Sequence, residues 1–214
     1  MSSTTAQVSK IMRGVCGGQE CGMKHYEFIQ SVEANPVIAA IKDDEGLEEC
    51  LRSDIGIVFI LYGDIGSIVD IVRRLKDAGK IAMVHMDLIS GMQPKEVSVD
   101  YIRKYTGADG IITTKYNLIA HARELGLNTI LRIFVLDSTS METLERSGRA
   151  DSVQPDIIEV LPGTLLPDVI QRLNAICRVP VMVSGLITAK SEVYNALKNG
   201  AISISTTKRA LWFM

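Results

Sequence analysis

Five polar residues interrupt or follow strand-length apolar runs. His85 and Asp87 lie in 81–89, Arg132 in 128–136, Glu159 in 157–161, and Lys115 just past 110–114. Side chains alternate along a strand, so His85 and Asp87 are expected on one face with Met83, opposite Ala82, Val84, Met86 and Leu88. A histidine and a carboxylate on one face can do acid–base work, or can hold the hydroxyls of a small polyol. By the same alternation Arg132 and Glu159 share the inner side of neighbouring strands. They form a buried ion pair, bind a ligand, or do both. Two later runs end in small polar residues: Ser184-Gly185, leading into Leu186-Ile187-Thr188, and Ser205-Thr206-Thr207, leading into Lys208-Arg209. Glycine allows close backbone approach to an oxyanion, and helix starts offer free N–H groups. Ser184, Gly185, Ser205, Thr206 and Thr207 are therefore candidate phosphate ligands. Lys42, which ends the first run, can face the same anion. Ordinary turn and cap chemistry uses the same residue types.

Other groupings are weaker. Cys16, Cys21 and His25 are metal-ligand types, but there are three of them at an unusual spacing, and no metal is expected. HExxH, GxSxG and GxxxxGK[ST] are absent. Arg73, Arg74, Lys76 and Lys80 make a small basic cluster. Such clusters are usually solvated helix faces, and this one is also a place for an RNA phosphate.

The elements that must position these residues repeat along the chain. Apolar runs of strand length occur at 36–41, 55–62, 81–89, 110–114, 128–136, 157–161, 180–184 and 201–205, which makes eight. Between them, helical spacing is visible in Ile65, Ile68, Val69, Val72 and Leu75, in Leu118, Ala122 and Leu125, and in Leu166, Val169, Ile170, Leu173 and Ile176. Gly79, Gly126 and Gly200 stand where helices should end. Alternating strands and helices require parallel strands with helical crossovers. Short, even units and the lack of G-x-G-x-x-G after the first strand favour a closed (βα)8 TIM barrel over an open sheet. Residues 1–35 read as an N-terminal extension with one helix near 25–32, and 36–214 as the barrel, with a stunted last helix. Sites in such barrels lie at the C-terminal ends of the strands.

Composition narrows the function. The 214 residues carry 23 Lys and Arg against 25 Asp and Glu, a formal charge of −2. That balance excludes coating nucleic acid by bulk charge, and an RNA partner would need a small patch or a dimer surface. The 47% apolar share supports a full core, and the 5% aromatic share shows no obvious stacking platform. No apolar run is long enough to cross a bilayer, no secretion signal is visible, and the four cysteines form no disulfide framework. A soluble cytoplasmic protein without membrane partners is expected.

Several stretches at strand ends resemble a known family. They are Met83-Val84-His85-Met86-Asp87-Leu88-Ile89, Gly110-Ile111-Ile112-Thr113-Thr114, Leu136-Asp137-Ser138, Ile158-Glu159-Val160-Leu161-Pro162-Gly163, Ser184-Gly185-Leu186-Ile187, and Ala201-Ile202-Ser203-Ile204-Ser205-Thr206-Thr207. In this order they resemble the bacterial glycerol uptake operon antiterminator regulatory proteins, from about residue 35 to 212. The resemblance implies a barrel that senses glycerol 3-phosphate, has no cofactor, and acts on an mRNA leader to let transcription pass a terminator. The phosphate role it implies falls on Ser184, Gly185, Ser205, Thr206 and Thr207. The alternative is an isomerase or aldolase on a small phosphorylated triose, sugar or polyol, with His85, Asp87, Lys115, Arg132 and Glu159 as its polar groups. Residues 1–34 extend beyond what the family is expected to have.

Overall fold

The computed structural model describes residues 25–137, 139–142, 153–165 and 167–213. Eight parallel strands close into a barrel in chain order. The chain runs α1 (His25–Glu33), β1 (Val37–Ile41), α2 (Asp44–Leu51), β2 (Ile57–Ile60), α3 (Ile68–Asp77), β3 (Ile81–His85), α4 (Glu96–Tyr105) and β4 (Gly110–Thr113). It continues through α5 (Tyr116–Glu124), β5 (Asn128–Phe134), β6 (Ile157–Leu161), α6 (Pro167–Ile176), β7 (Val181–Ser184), α7 (Lys190–Lys198) and β8 (Ile204–Thr206). The expected (βα)8 barrel is the observed one.

The strands are apolar on both sides because both sides are covered. Ala39, Ile41, Val58, Ile60, Ala82, Val84 and Ile111 face outward and pack against helix residues such as Leu47, Val72, Leu75, Ile102 and Leu118. Ile38, Ala40, Ile57, Phe59, Met83, Ile112, Ile130, Ile157 and Met182 fill the barrel. Phe28 and Val32 of α1 belong to this inner cluster and are fully buried, so α1 stoppers the N-terminal end. The stopper is tied at both ends. His25 Nδ1 lies 3.1 Å from an Asp156 carboxylate oxygen, and Ser203 Oγ donates to the Asn35 carbonyl at 2.7 Å.

One clamp occurs twice. Before β4, the Asp109 carboxylate accepts from Lys76 of α3 at 2.6 Å and from the Ala82 N–H of β3 at 2.8 Å. Before β6, Asp156 accepts from Arg123 of α5 and from the Thr129 N–H of β5 at 2.7 Å. Each partner recurs at the same offset in sequence: 76 and 123, 82 and 129, 109 and 156. An aspartate ahead of one strand thus fixes the preceding strand and a helix at the barrel base, where a buried carboxylate needs cationic and N–H donors.

Among the described residues, no full-length helix covers the seam between β8 and β1. A short 3₁₀ turn, Arg209–Leu211, stands there. The Arg209 guanidinium pairs with Asp43 at 2.9 Å, Glu45 at 2.8 Å and Glu49 at 3.4 Å, binding the turn to the start of α2. Trp212 Nε1 donates to the Thr206 carbonyl at 2.8 Å and lays a buried ring over the outer core. The stunted final helix is thereby replaced by an ion-pair cluster and one aromatic ring.

Three local expectations differ from the structure. The third strand stops at His85, and Met86–Leu88 form a 3₁₀ turn. The Asp87 carboxylate accepts from Thr113 Oγ1 at 2.9 Å and from the Thr114 N–H at 2.6 Å, which holds the chain against the end of β4 and leaves Leu88 exposed. Ile65 precedes α3 in a turn organised by Asp64, which accepts from the N–H groups of Gly66 and Ser67, and is likewise exposed. The fifth strand ends at Phe134, and Leu136 is 80% exposed.

The stopper yields a stability test. Phe28→Ala should cost about 3–5 kcal/mol in denaturant unfolding, because it empties a buried aromatic site in the barrel. Tyr26→Ala, on the exposed side of the same helix, should stay within about 0.5 kcal/mol of the parent.

Candidate functional site

Above the apolar filling of the barrel lies a polar layer. Arg132 and Glu159 are register partners on β5 and β6. Arg132 Nε donates to Glu159 Oε2 at 2.7 Å, with Glu159 fully buried and Arg132 nearly so. The other Glu159 oxygen accepts from Ser205 Oγ of β8 at 2.9 Å. His85 enters from β3 at 2% exposure, and its Nδ1 has no hydrogen-bond partner among the described residues. Burial, with the Arg132 cation close by, pushes the His85 imidazole down to about 4. Ser184 of β7 is 3% exposed, and its Oγ is also unpartnered.

A cavity of about 420 Å³ opens above this layer at the C-terminal ends of β7, β8 and β1. Lys42, Arg132, Ser184, Gly185, Ser205, Thr206 and Thr207 all line it, so the structure gathers every anion candidate read from the sequence together with Arg132. It adds Lys208 and an apolar wall of Leu61, Leu161 and Ile187. Lys208 was legible as the basic residue following Thr206-Thr207; the wall carries no local sequence signal.

The gathered groups are not equally free. The Thr206 hydroxyl donates to the Ile187 carbonyl at 3.0 Å and accepts from the Lys208 N–H at 3.0 Å, so it ties the β7 and β8 loops together. Ser205 is engaged by Glu159. The start of α7, expected to present free N–H groups, is capped by its own Glu192, which accepts from Thr188 at 2.7 Å and Ala189 at 2.9 Å. What remains is the turn itself. Gly185 and Leu186 both have positive φ, +78° and +60°; the Gly185 N–H continues the β7–β8 ladder, while the N–H groups of Leu186 and Thr207 make no backbone bond among the described residues. A leucine in the left-handed region costs about 1–2 kcal/mol, and such strain concentrates at functional sites.

Asp87 and Lys115 do not join the layer. Asp87 serves the end of β4, and Lys115 is exposed beside α5 with its N–H on Thr113 Oγ1 at 3.1 Å. The basic cluster is also consumed. Arg73 pairs with Asp70 and Asp77, Arg74 with Glu48, and Lys76 with Asp109. Lys80 is buried with Nζ on the Ser53 and Ile55 carbonyls. Arg74, Lys76 and Lys80 are thus engaged with neighbouring elements, and Arg73 is paired on the exposed face of α3. His25 is held by Asp156, whereas Cys16, Cys21 and Ser138 lie outside the described residues.

A family model described as glycerol-3-phosphate responsive antiterminator matches residues 37–212. The chain belongs to this family. It is 37% identical over 185 residues to the uncharacterised protein YgcP of Escherichia coli K12, covering 86% of this chain and 95% of that one. Among solved structures, the glycerol uptake operon antiterminator regulatory protein of Listeria monocytogenes superposes with a TM-score of 0.76 at 28% identity, over 83% of this chain and 94% of that one. A glycerol uptake operon antiterminator-related protein of Thermotoga maritima gives 0.71 at 34% identity, over 84% and 99%. The family match begins at β1, so the α1 stopper lies outside it.

In this antiterminator-family barrel the polar layer makes stability depend on pH. A histidine whose folded pKa lies near 4 instead of 6.5 binds its proton more readily in the unfolded chain. Its contribution is therefore complete above pH about 6.5 and is lost as pH falls towards 4. An NMR titration should place the His85 midpoint near 4, and His85→Gln should flatten the stability profile between those limits. A midpoint at the ordinary histidine value would contradict the buried neutral ring.

Proposed function

We propose that this protein is a glycerol 3-phosphate-responsive regulator that acts on a leader mRNA, as its family and its two antiterminator relatives suggest. The observation that carries the ligand half of this reading is the buried, unpartnered Ser184 hydroxyl at the cavity formed by the β7, β8 and β1 ends. A buried polar group without a partner costs free energy, and a polar ligand supplies the missing bond. Around it stand the N–H groups of Leu186 and Thr207 and the ammonium groups of Lys42 and Lys208, a donor set for a phosphate dianion. The cavity volume is at the low end of small-molecule sites, which fits a three-carbon phosphate. Arg132, held by Glu159 at the cavity floor, is a hydroxyl-binding group for the polyol end. The regulator works in the cytoplasm, where transcripts are made, and no helix among the described residues is long and apolar enough to cross a membrane.

The test is ligand-induced stabilisation. Glycerol 3-phosphate at about 100 times its Kd should stabilise the fold by about 2.7 kcal/mol, or roughly 5–10 °C in Tm for a chain of this size. Gly185→Ala and Gly185→Asp both place a Cβ at positive φ, where aspartate is the better tolerated of the two, but only the second adds a carboxylate. The alanine variant should keep most of the shift and the aspartate variant should lose it. Equal shifts in the two variants would remove the anion site from this turn. Retention of leader RNA in a gel should require the ligand and weaken with salt. RNA retention that is indifferent to glycerol 3-phosphate would separate the two halves of the proposal.

A further inference from the structure

A second concavity, about 540 Å³, lies on the outside of the barrel between α4 and the loops that follow β2 and β3. Tyr101, Tyr105, Lys95, Lys104, Met92 and Ile65 are among its lining residues. Positions 97, 101, 104 and 105 share one face of α4, since residues three and four apart are helical neighbours. The Tyr101 and Tyr105 rings stand 5.1 Å apart at 42°, and Lys104 Nζ sits 5.0 Å from the Tyr105 ring centre. The Tyr101 hydroxyl donates to the Ile65 carbonyl at 2.9 Å, which fixes that ring, while Tyr105 is 54% exposed.

From this we infer that the α4 groove is a stacking platform for single-stranded RNA, the surface by which the protein holds its transcript. The inference rests on the regulator reading above and supplies the surface that reading lacks. The exposed Tyr105 ring, backed by the half-buried Tyr101 and set beside Lys104, matches the two parts of a single strand, bases that stack and phosphates that need charge. Charge complementarity distinguishes this groove from the Arg73–Lys80 cluster. No ion pair joins Lys95 or Lys104 to a carboxylate among the described residues, and the groove's Asp100 is engaged by His121 Nε2 at 2.8 Å. A net charge of −2 requires any nucleic-acid grip to be local, and here two uncommitted lysines sit with two rings. Duplex RNA is read by its shape and backbone, whereas single strands are read by stacking on such rings.

The experiment uses the full chain with saturating glycerol 3-phosphate and a fluorescein-labelled single-stranded RNA of randomised sequence, about 12 nucleotides long, followed by anisotropy at several salt concentrations. Tyr105→Ala should weaken binding about tenfold, in the range found when one base loses its stacking partner. Tyr105→Phe should restore it, because the ring and not the hydroxyl is used. Lys104→Gln should lower the salt slope by about 0.7, the value of one phosphate contact on a single strand. Tyr194→Ala, at another exposed tyrosine between Lys190 and Lys198 on α7, should leave affinity unchanged. All four variants should keep the parent Tm and its shift with glycerol 3-phosphate. Undiminished RNA binding by Tyr105→Ala would overturn the platform and leave the regulator reading intact. An RNA-indifferent Tyr105→Ala that lowers oligomer mass in sedimentation would assign the face to a second copy of the chain and overturn the platform too. Failure of the parent protein to bind any single-stranded RNA would overturn the platform, while retention of the leader RNA decides the regulator reading separately.

Discussion

A carboxylate at full burial in the middle of a barrel has to be answered. Glu159 sits where an apolar side chain would complete the filling, and removing its charge from water costs several kcal/mol unless donors are supplied. Arg132 meets one oxygen from the neighbouring strand, and Ser205 meets the other from across β7. Once those three are fixed, the upper half of the barrel is committed to polar contents. His85 is held neutral beside the Arg132 cation, Ser184 is left with a hydroxyl to satisfy, and a cavity is kept open above them. The pair is a poor device for stability, since a hydrophobic filling of the same volume would serve as well or better. Its consequence is a guanidinium at the floor of the cavity, held in place by Glu159.

Much of this was legible because strand periodicity is strict. Alternation puts Met83 and His85 inside, Ala82 and Val84 outside, and Arg132 and Glu159 on the inner side of neighbouring strands, as observed. The gathering of Lys42, Ser184, Gly185 and Thr207 followed from strand order in a closed ring. Periodicity fails where a side chain competes with the ladder. Asp87 continues the alternating pattern in sequence, yet its carboxylate finds better partners in Thr113 and Thr114 than in the barrel interior, and the strand turns away. Nothing within five residues of Asp87 signals that, because the partners lie 26 and 27 positions on. The same limit hid the Asp109 and Asp156 clamps and the capping of α7 by Glu192. Each is a long-range or reciprocal choice that composition cannot reveal.

The helix before β1 and the turn after β8 each cover part of the barrel that the eight strands leave open. A barrel needs its base covered and its last strand shielded. Here α1 inserts Phe28 and Val32 into the base, and a 3₁₀ turn with Arg209 and Trp212 shields β8. Both devices act on the outside or the base and leave the C-terminal face to the loops. That separation lets the strand ends carry strain, such as Leu186 at φ +60°, without loosening the barrel.

Composition misleads in a similar way about RNA. A low aromatic share and a slightly negative charge argue against a nucleic-acid surface only if residues are spread evenly. In the cluster most conspicuous in sequence, Arg73 to Lys80, each basic residue already has a carboxylate or carbonyl partner, on the surface for Arg73 and against neighbouring elements for the others. Lys104 looks unremarkable in sequence, yet its Nζ stands beside the Tyr105 ring on α4, and Lys95 lines the same groove. Free charge, and not the count of charges, decides whether a surface can hold a phosphate. A helix face bearing two uncommitted lysines can outweigh a basic run whose members are each already paired.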